Sequence, residues 1–133
     1  MAWRIALFLL LALLIGPASA QPVIPLTQAS VPITISTATT TQLVALKSGQ
    51  SIYVTSVSVI AVGTGNIQFV YGTGSNCATG QGNITGNYNL TAQVGFTLGN
   101  GSGVVWVVPA GNALCAVTSQ SVGMPGSLSY AQF

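Results

Sequence analysis

Beyond Arg4, only three side chains in this 133-residue sequence have the reactivity of a catalytic or ligating group: Lys47, Cys77 and Cys115. The chain has no Asp, Glu or His. General acid–base catalysis needs a group that titrates near working pH, normally one of those three types. A Ser-His-Asp triad and a paired-carboxylate glycosidase site are both excluded. Zinc takes several Cys, His or carboxylate ligands and calcium takes mainly carboxylates, so neither finds a donor set. A desolvated lysine can act as a nucleophile. Lys47, however, lies in Leu46-Lys47-Ser48-Gly49, which reads as a turn that leaves the ammonium in water. The composition argues against an enzyme, and no cofactor is expected. Nucleic-acid binding rests on neutralising phosphates with Lys and Arg, and a polybasic membrane-surface face has the same requirement. One lysine beyond Arg4 supplies neither.

Cys77 and Cys115 form a disulfide in an exported chain of this size; two buried thiols are the alternative. Export is itself an expectation from the N-terminus. Arg4 precedes the uninterrupted apolar run Ile5–Ile15, Gly16-Pro17 breaks it, and Ala18-Ser19-Ala20 fits a small-x-small cleavage site. This is the layout of a secretory signal peptide over residues 1–20, cut after Ala20. A membrane anchor is the competing reading, but that run makes a helix of about 16 Å against a hydrocarbon core of roughly 30 Å. A secreted, periplasmic or cell-surface address follows, with no stable membrane insertion after cleavage.

The elements that must position anything further are strands. Ile52–Val62 is rich in β-branched residues, and Ile67–Tyr71 places Ile67, Phe69 and Tyr71 on one face. Gly63-Thr64-Gly65-Asn66 separates the two runs, which suggests a β-hairpin. Within the first run Ile52 and Val54 share one parity and Val57, Val59 and Ala61 the other. A bulge near Thr55-Ser56 explains the slip, and so does a strand covered on both faces. Residues 21–32, with Pro22, Pro25 and Pro32, read as an extended arm rather than a core strand. Val31, Ile33 and Ile35 then alternate, followed in the same parity by Thr37, Thr39 and Thr41, as at a sheet edge. Gln42–Leu46 is a short strand. The Gly- and Asn-dense stretch Gly72–Gly86 is expected to be a loop crossing between sheets. Asn87–Leu98 regains strand character, and Val104–Val108 (VVWVV) is expected to be buried on both faces with Trp106 in the core. Ala113–Thr118 and Ser127–Phe133 complete about eight strands. They predict a single all-β domain over residues 33–133, an antiparallel β-sandwich.

The runs LVALKSGQSIYVTSVSV, GNIQFVYGTGSNCATG, LTAQVGFTL, VPAGNALCAVTS and GSLSYAQF resemble a group of small jelly-roll-like proteins of tailed-phage and proteobacterial genomes. The resemblance covers Gln42 to Phe133 and resides in glycine spacing and strand order. It implies a jelly-roll-like sandwich with a virion or cell-surface interaction role, and it carries no catalytic residues. The signal peptide favours an exported bacterial protein over a phage capsid component.

A nearly uncharged surface lacks the repulsion that keeps soluble proteins apart, so self-association into a homo-oligomer or fibre is the first functional expectation. Val23, Ile24, Leu26, Val31, Ile33 and Ile35 are its candidate subunit contacts. The alternative is a small carbohydrate-binding module, with Tyr88 flanked by Asn87 and Asn89 as the exposed glycan contact. Asn83, Asn89 and Asn100 head Asn-x-Ser/Thr triplets, which chance explains in so Asn- and Thr-rich a chain. The array Thr37, Thr39 and Thr41 suggests ice binding only weakly, since it does not repeat.

The composition makes one prediction directly. With no Asp, Glu or His, stability should be flat between about pH 4 and 7.5, the chain ends aside. A urea-denaturation midpoint measured across that range should not move.

Overall fold

The computed structural model describes residues 28–133; the signal peptide and cleavage site expected over residues 1–20 and the arm residues Val23, Ile24 and Leu26 lie outside them. Ten strands are present among the described residues: β1 (Ala29–Ile35), β2 (Thr40–Val44), β3 (Ile52–Ile60), β4 (Gly65–Thr73), β5 (Thr79–Asn83), β6 (Tyr88–Leu90), β7 (Gly95–Leu98), β8 (Trp106–Val108), β9 (Ala113–Val117) and β10 (Met124–Gln132). All pairings are antiparallel. One sheet has the order β1-β10-β3-β7, with β8 also on β3. The other runs β2-β9-β4-β5, with β6 also on β4.

The surplus over eight strands has a simple origin. β7 pairs with Val57–Ile60 and β8 with Ile52–Val54, so the two lie end to end along one side of β3. β5 and β6 lie end to end along β4 in the same way. Each sheet thus has four strand positions. Apart from β4 and β5, successive strand positions alternate between the sheets in the order of a double Greek key, the jelly roll. The β-sandwich expected from the turn spacing is present.

The two sheets share one core. Phe69, Ile33, Ile52, Ile67, Leu114, Met124 and Leu128 are its largest fully buried side chains. Trp106 packs on it partly buried, its ring 4.9 Å from that of Phe69. The parity slip in β3 is a bulge: Ser56 faces Ser129 and Val54 faces Tyr130, leaving Thr55 without a partner of its own. Thr55 is buried and its hydroxyl donates to the Ser129 carbonyl (3.2 Å). The extra residue moves the inward parity from Ile52/Val54 to Val57/Val59, so the strand keeps one face on the core throughout.

Several expectations need correction. β3 and β4 are not a hairpin. They belong to opposite sheets, and the Ala61–Thr64 connection arches over the core because β-branched runs on both sides have to cover it. The stretch 72–86 does not cross between sheets; it turns through a 3₁₀ segment at Ser75–Cys77 and returns as β5 beside β4. VVWVV is not covered on both faces, because Val104 and Val107 are exposed. The extended arm ends sooner than Pro32: Ala29–Pro32 are already part of β1, paired with Ser127–Tyr130. Pro32 is tolerated because β1 is an edge strand.

Cys77 and Cys115 are joined, with no free cysteine among the described residues. The bond ties the 3₁₀ turn to β9 over Val70 and Ala113, a small apolar cluster on the outer side of the second sheet. The chain-entropy contribution of a loop this long is about 4 kcal/mol before strain. Urea unfolding with and without reductant should show a clearly lower midpoint for the reduced protein, and Cys77→Ala/Cys115→Ala should match it.

Candidate interaction surface

Cross-strand partners share a sheet face, so the pairing register identifies what the outer side of the first sheet presents. Ser30, Ser129 and Ser56 form one row across β1, β10 and β3. Pro32, Ser127, Ser58 and Thr97 form the next, across all four positions. Thr34 and Pro125 follow. These are small or rigid side chains, none is charged, and all are exposed or half-exposed. The Ser58 and Thr97 hydroxyls are hydrogen-bonded to each other (3.0 Å). The result is a neutral, hydroxyl-lined face, crossed toward the start of β3 by the Gln28 amide, which donates to the Gly101 carbonyl.

Its two ends are apolar and differ in shape. At the start of β3, Tyr53 stands opposite Val107 and Ala131. The ring of Phe133 stacks on Tyr53 at 4.4 Å with 12° between planes. Phe133 is 49% exposed and Val107 51%, so this end is an aromatic-capped prominence. The other end carries Ile60, 52% exposed, with Val62 and Val94 also exposed beside it. Backbone bonds Ala61 N to Val94 O (2.9 Å) and Gln93 N to Ala61 O (2.8 Å) hold the β6–β7 connection against this end. Here Ile60 pairs with Gly95, where a Cβ would meet the Val59 carbonyl and the Ile60 side chain, and an open recess of about 310 Å³ lies beside the pair, lined by Ser58, Val59, Ile60, Gln93, Gly95, Phe96 and Thr97.

The outer side of the second sheet is different. The disulfide turn covers its middle, and amides surround it. Asn66 Oδ1 accepts from the Ser119 amide (3.0 Å) and hydroxyl (2.8 Å). Gln68 Nε2 donates to Thr85 O (2.8 Å), and Gln120 Oε1 accepts from Asn66 N (3.0 Å). These amides are consumed by the domain itself.

The residues singled out from sequence are dispersed. Tyr88 is not an exposed platform: it is half-buried against the core, its ring 4.6 Å from that of Phe96, because β6 turns it inward opposite Ile67. Asn87 and Asn89 beside it are exposed. Val31, Ile33 and Ile35 are not a free apolar edge. Ile33 and Ile35 are 0% and 3% exposed and belong to their own domain's core, with Val31 packed against it. Thr37 and Thr39 lie in a bend before β2, so they make no flat array with Thr41. Asn83, Asn89 and Asn100 are all exposed. Among the described residues no His, Cys, Asp or Glu cluster could hold a metal ion. No helix among them is long and apolar enough to cross a membrane. The hydroxyl rows carried no sequence signal, because they come from four strands whose register only the fold supplies. No protein-family model matches the chain, and no curated protein matches it.

Residues 99–105 separate β7 from β8 and lie opposite the Thr55 bulge. Gly101 N (3.2 Å) donates to Thr55 O, and Val105 N (2.7 Å) donates to Val54 O. Gly99 has φ +75°, and a Cβ there would fall on the Thr55 carbonyl. Gly99→Ala should therefore cost about 2 kcal/mol or more, from backbone conformation and collision together. Ser58→Ala on the open face should stay within about 0.5 kcal/mol. Thermal or urea unfolding of the two variants checks both values.

Proposed function

We propose that this chain is a non-enzymatic, exported structural or interaction module that self-associates, as a component of a cell surface, fibre or virion. The observation that carries this reading is the outer face of the first sheet: without charge, hydroxyl-lined in its middle and with exposed apolar side chains at both ends. Soluble proteins ordinarily protect such faces with charged side chains, and the described domain has only Lys47 to offer. The apolar N-terminal run and the disulfide support export into an oxidising compartment. The Tyr88 ring, the sugar contact expected from the sequence, is turned against Phe96 instead.

Light scattering of the chain from Gln21 across a wide concentration range should show a defined oligomer or fibre that persists in high salt, since no ion pairs hold it. A chain beginning at Gln28 should associate more weakly if residues 21–27 take part. A monomer at every concentration that instead captures sugars on a glycan array would replace this reading with the carbohydrate-binding one.

A further inference from the structure

The connection between β7 and β8 contains the sequence's one Asn-Gly step, Asn100-Gly101. We infer that this step is a self-modification site, at which Asn100 loses its amide nitrogen as ammonia, and that the product loosens the hold of the connection on the Thr55 bulge.

The reaction needs only water. The Gly101 backbone nitrogen gives up its proton and bonds to Cγ of Asn100. The Cγ–Nδ2 bond breaks, the departing nitrogen takes up a proton and leaves as ammonia, and a cyclic imide closes. Water then opens the ring. Attack at Cγ gives aspartate; attack at the backbone carbonyl gives isoaspartate, whose main chain runs through Cβ and Cγ. Nothing is oxidised or reduced.

Three features of the structure favour this step. The first is room around the nucleophile. Asn100 is exposed, and a Cβ built on Gly101 would meet nothing closer than the Gln28 amide at 3.8 Å. The other six asparagines precede Ile, Cys, Tyr, Leu or Ala, whose side chains crowd the attacking nitrogen. Asn66 and Asn76 also interact with backbone amides through Oδ1, but the residues that would attack them, Ile67 and Cys77, are fully buried.

The second is polarisation of the group attacked. Ser102 N donates to Asn100 Oδ1 (3.0 Å), the oxygen on which negative charge gathers as the imide forms. The peptide group that supplies this donor also accepts, because the Gln28 amide donates to the Gly101 carbonyl. Hydrogen bonds in series polarise one another, so Gln28 strengthens the Ser102 donor from a distance. Gln28 is a positioning residue here.

The third is the bond that has to be released. Cγ must take the place of the Gly101 proton, which is donated to Thr55 O. At 3.2 Å that bond is at the long end of the ordinary range, and it lies outside any strand ladder. It is also what the product alters. The imide nitrogen has no hydrogen, so Thr55 O has no donor from Gly101 while the ring persists. Isoaspartate restores the hydrogen but adds a carbon to the main chain between Gly101 and Gly99, which packs closely against the Thr55 carbonyl. Aspartate keeps the chain length and leaves an oxygen for Ser102 N. Either product brings a carboxylate to a sequence without Asp or Glu.

Peptide mapping of the folded chain from Gln21, stored at neutral and mildly alkaline pH, tests this. The peptide carrying Asn100 should convert to aspartate and isoaspartate while the other asparagines are intact, and faster at the higher pH. Gln28→Ala should slow the conversion by about twofold or more, with an unchanged urea midpoint. The separated isoaspartate fraction should unfold at a lower urea midpoint than fresh protein, whereas Asn100→Asp should keep the wild-type midpoint. Asn100 that stays intact in the folded chain but reacts in urea would show that the Thr55 bond shields it, and would overturn the inference. Earlier conversion at another asparagine would do the same. An unchanged or faster rate in Gln28→Ala would overturn the part given to Gln28, and an isoaspartate fraction as stable as fresh protein would overturn the link to the bulge.

Discussion

A polar surface made almost without charge is the constraint to which the rest of this structure answers. Between Gln28 and Phe133 the only ionisable side chain of ordinary solubilising strength is Lys47; the polarity comes from hydroxyls and amides. Such groups hydrate adequately but do not repel one another, so they cannot keep sheet edges apart by electrostatics. A sandwich of two four-position sheets has four edges to protect. Natural proteins commonly blunt an edge with lysine, proline, a bulge or brevity. Here lysine is missing from all four, and each edge shows one of the other devices. β1 carries Pro32. β2 is five residues long, with a register shift between Gln42 and Val44. The edge on β4 is broken into β5 and β6, and the edge on β3 into β7 and β8 by residues 99–105. No edge offers a long regular ladder to a stranger.

The bulge at Thr55 links edge to core. By absorbing one residue, β3 can bury Ile52 and Val54 before the bulge and Val57 and Val59 after it, nine residues against one core. The same irregularity displaces the Thr55 carbonyl from the ladder. Gly101 satisfies it from the 99–105 excursion, which interrupts the neighbouring edge. A buried carbonyl without a donor would cost on the order of 1–3 kcal/mol, so bulge and excursion are one device.

How much of this was legible in the sequence follows from which physical signal each feature leaves. The sandwich class and the disulfide partners were legible, since turn residues and an even cysteine count are local signals; the parity slip in β3 was legible too, but it fitted a bulge and a strand covered on both faces equally well. The β3–β4 hairpin was misread because Gly63–Asn66 looks the same whether the chain returns beside itself or arches to a second sheet. That choice is made by the core, which needs Ile67 and Phe69 facing Val57 and Val59 rather than beside them. Tyr88 was misread for a related reason: its neighbours Asn87 and Asn89 are polar, yet alternation in β6 turns it opposite Ile67 and inward. The hydroxyl rows left no trace at all. Ser30, Ser56, Ser58, Thr97, Ser127 and Ser129 are scattered along the chain, and they come together only through the registers of three strand pairings.

The two outer faces have diverged under the same composition, and the disulfide is what separates them. On the second sheet Val70, Ala113 and Cys115 would form an apolar strip open to water. The turn carrying Cys77 folds over it, and Gln42 N is tied to Asn76 Oδ1 (3.3 Å) at the margin. That face is closed by its own chain. On the first sheet the cover is partial: Phe133 stacks on Tyr53, and the Gln28 amide donates to the Gly101 carbonyl of the 99–105 excursion, while Val107 and Ile60 stay exposed. Exposed Val, Ile and Phe side chains each forgo about 1.5–3 kcal/mol of burial, and scattered singly they need no explanation. Here Val107 and Phe133 stand at one end of a neutral face and Ile60, Val62 and Val94 at the other, so the exposed apolar side chains of this sheet are grouped rather than scattered.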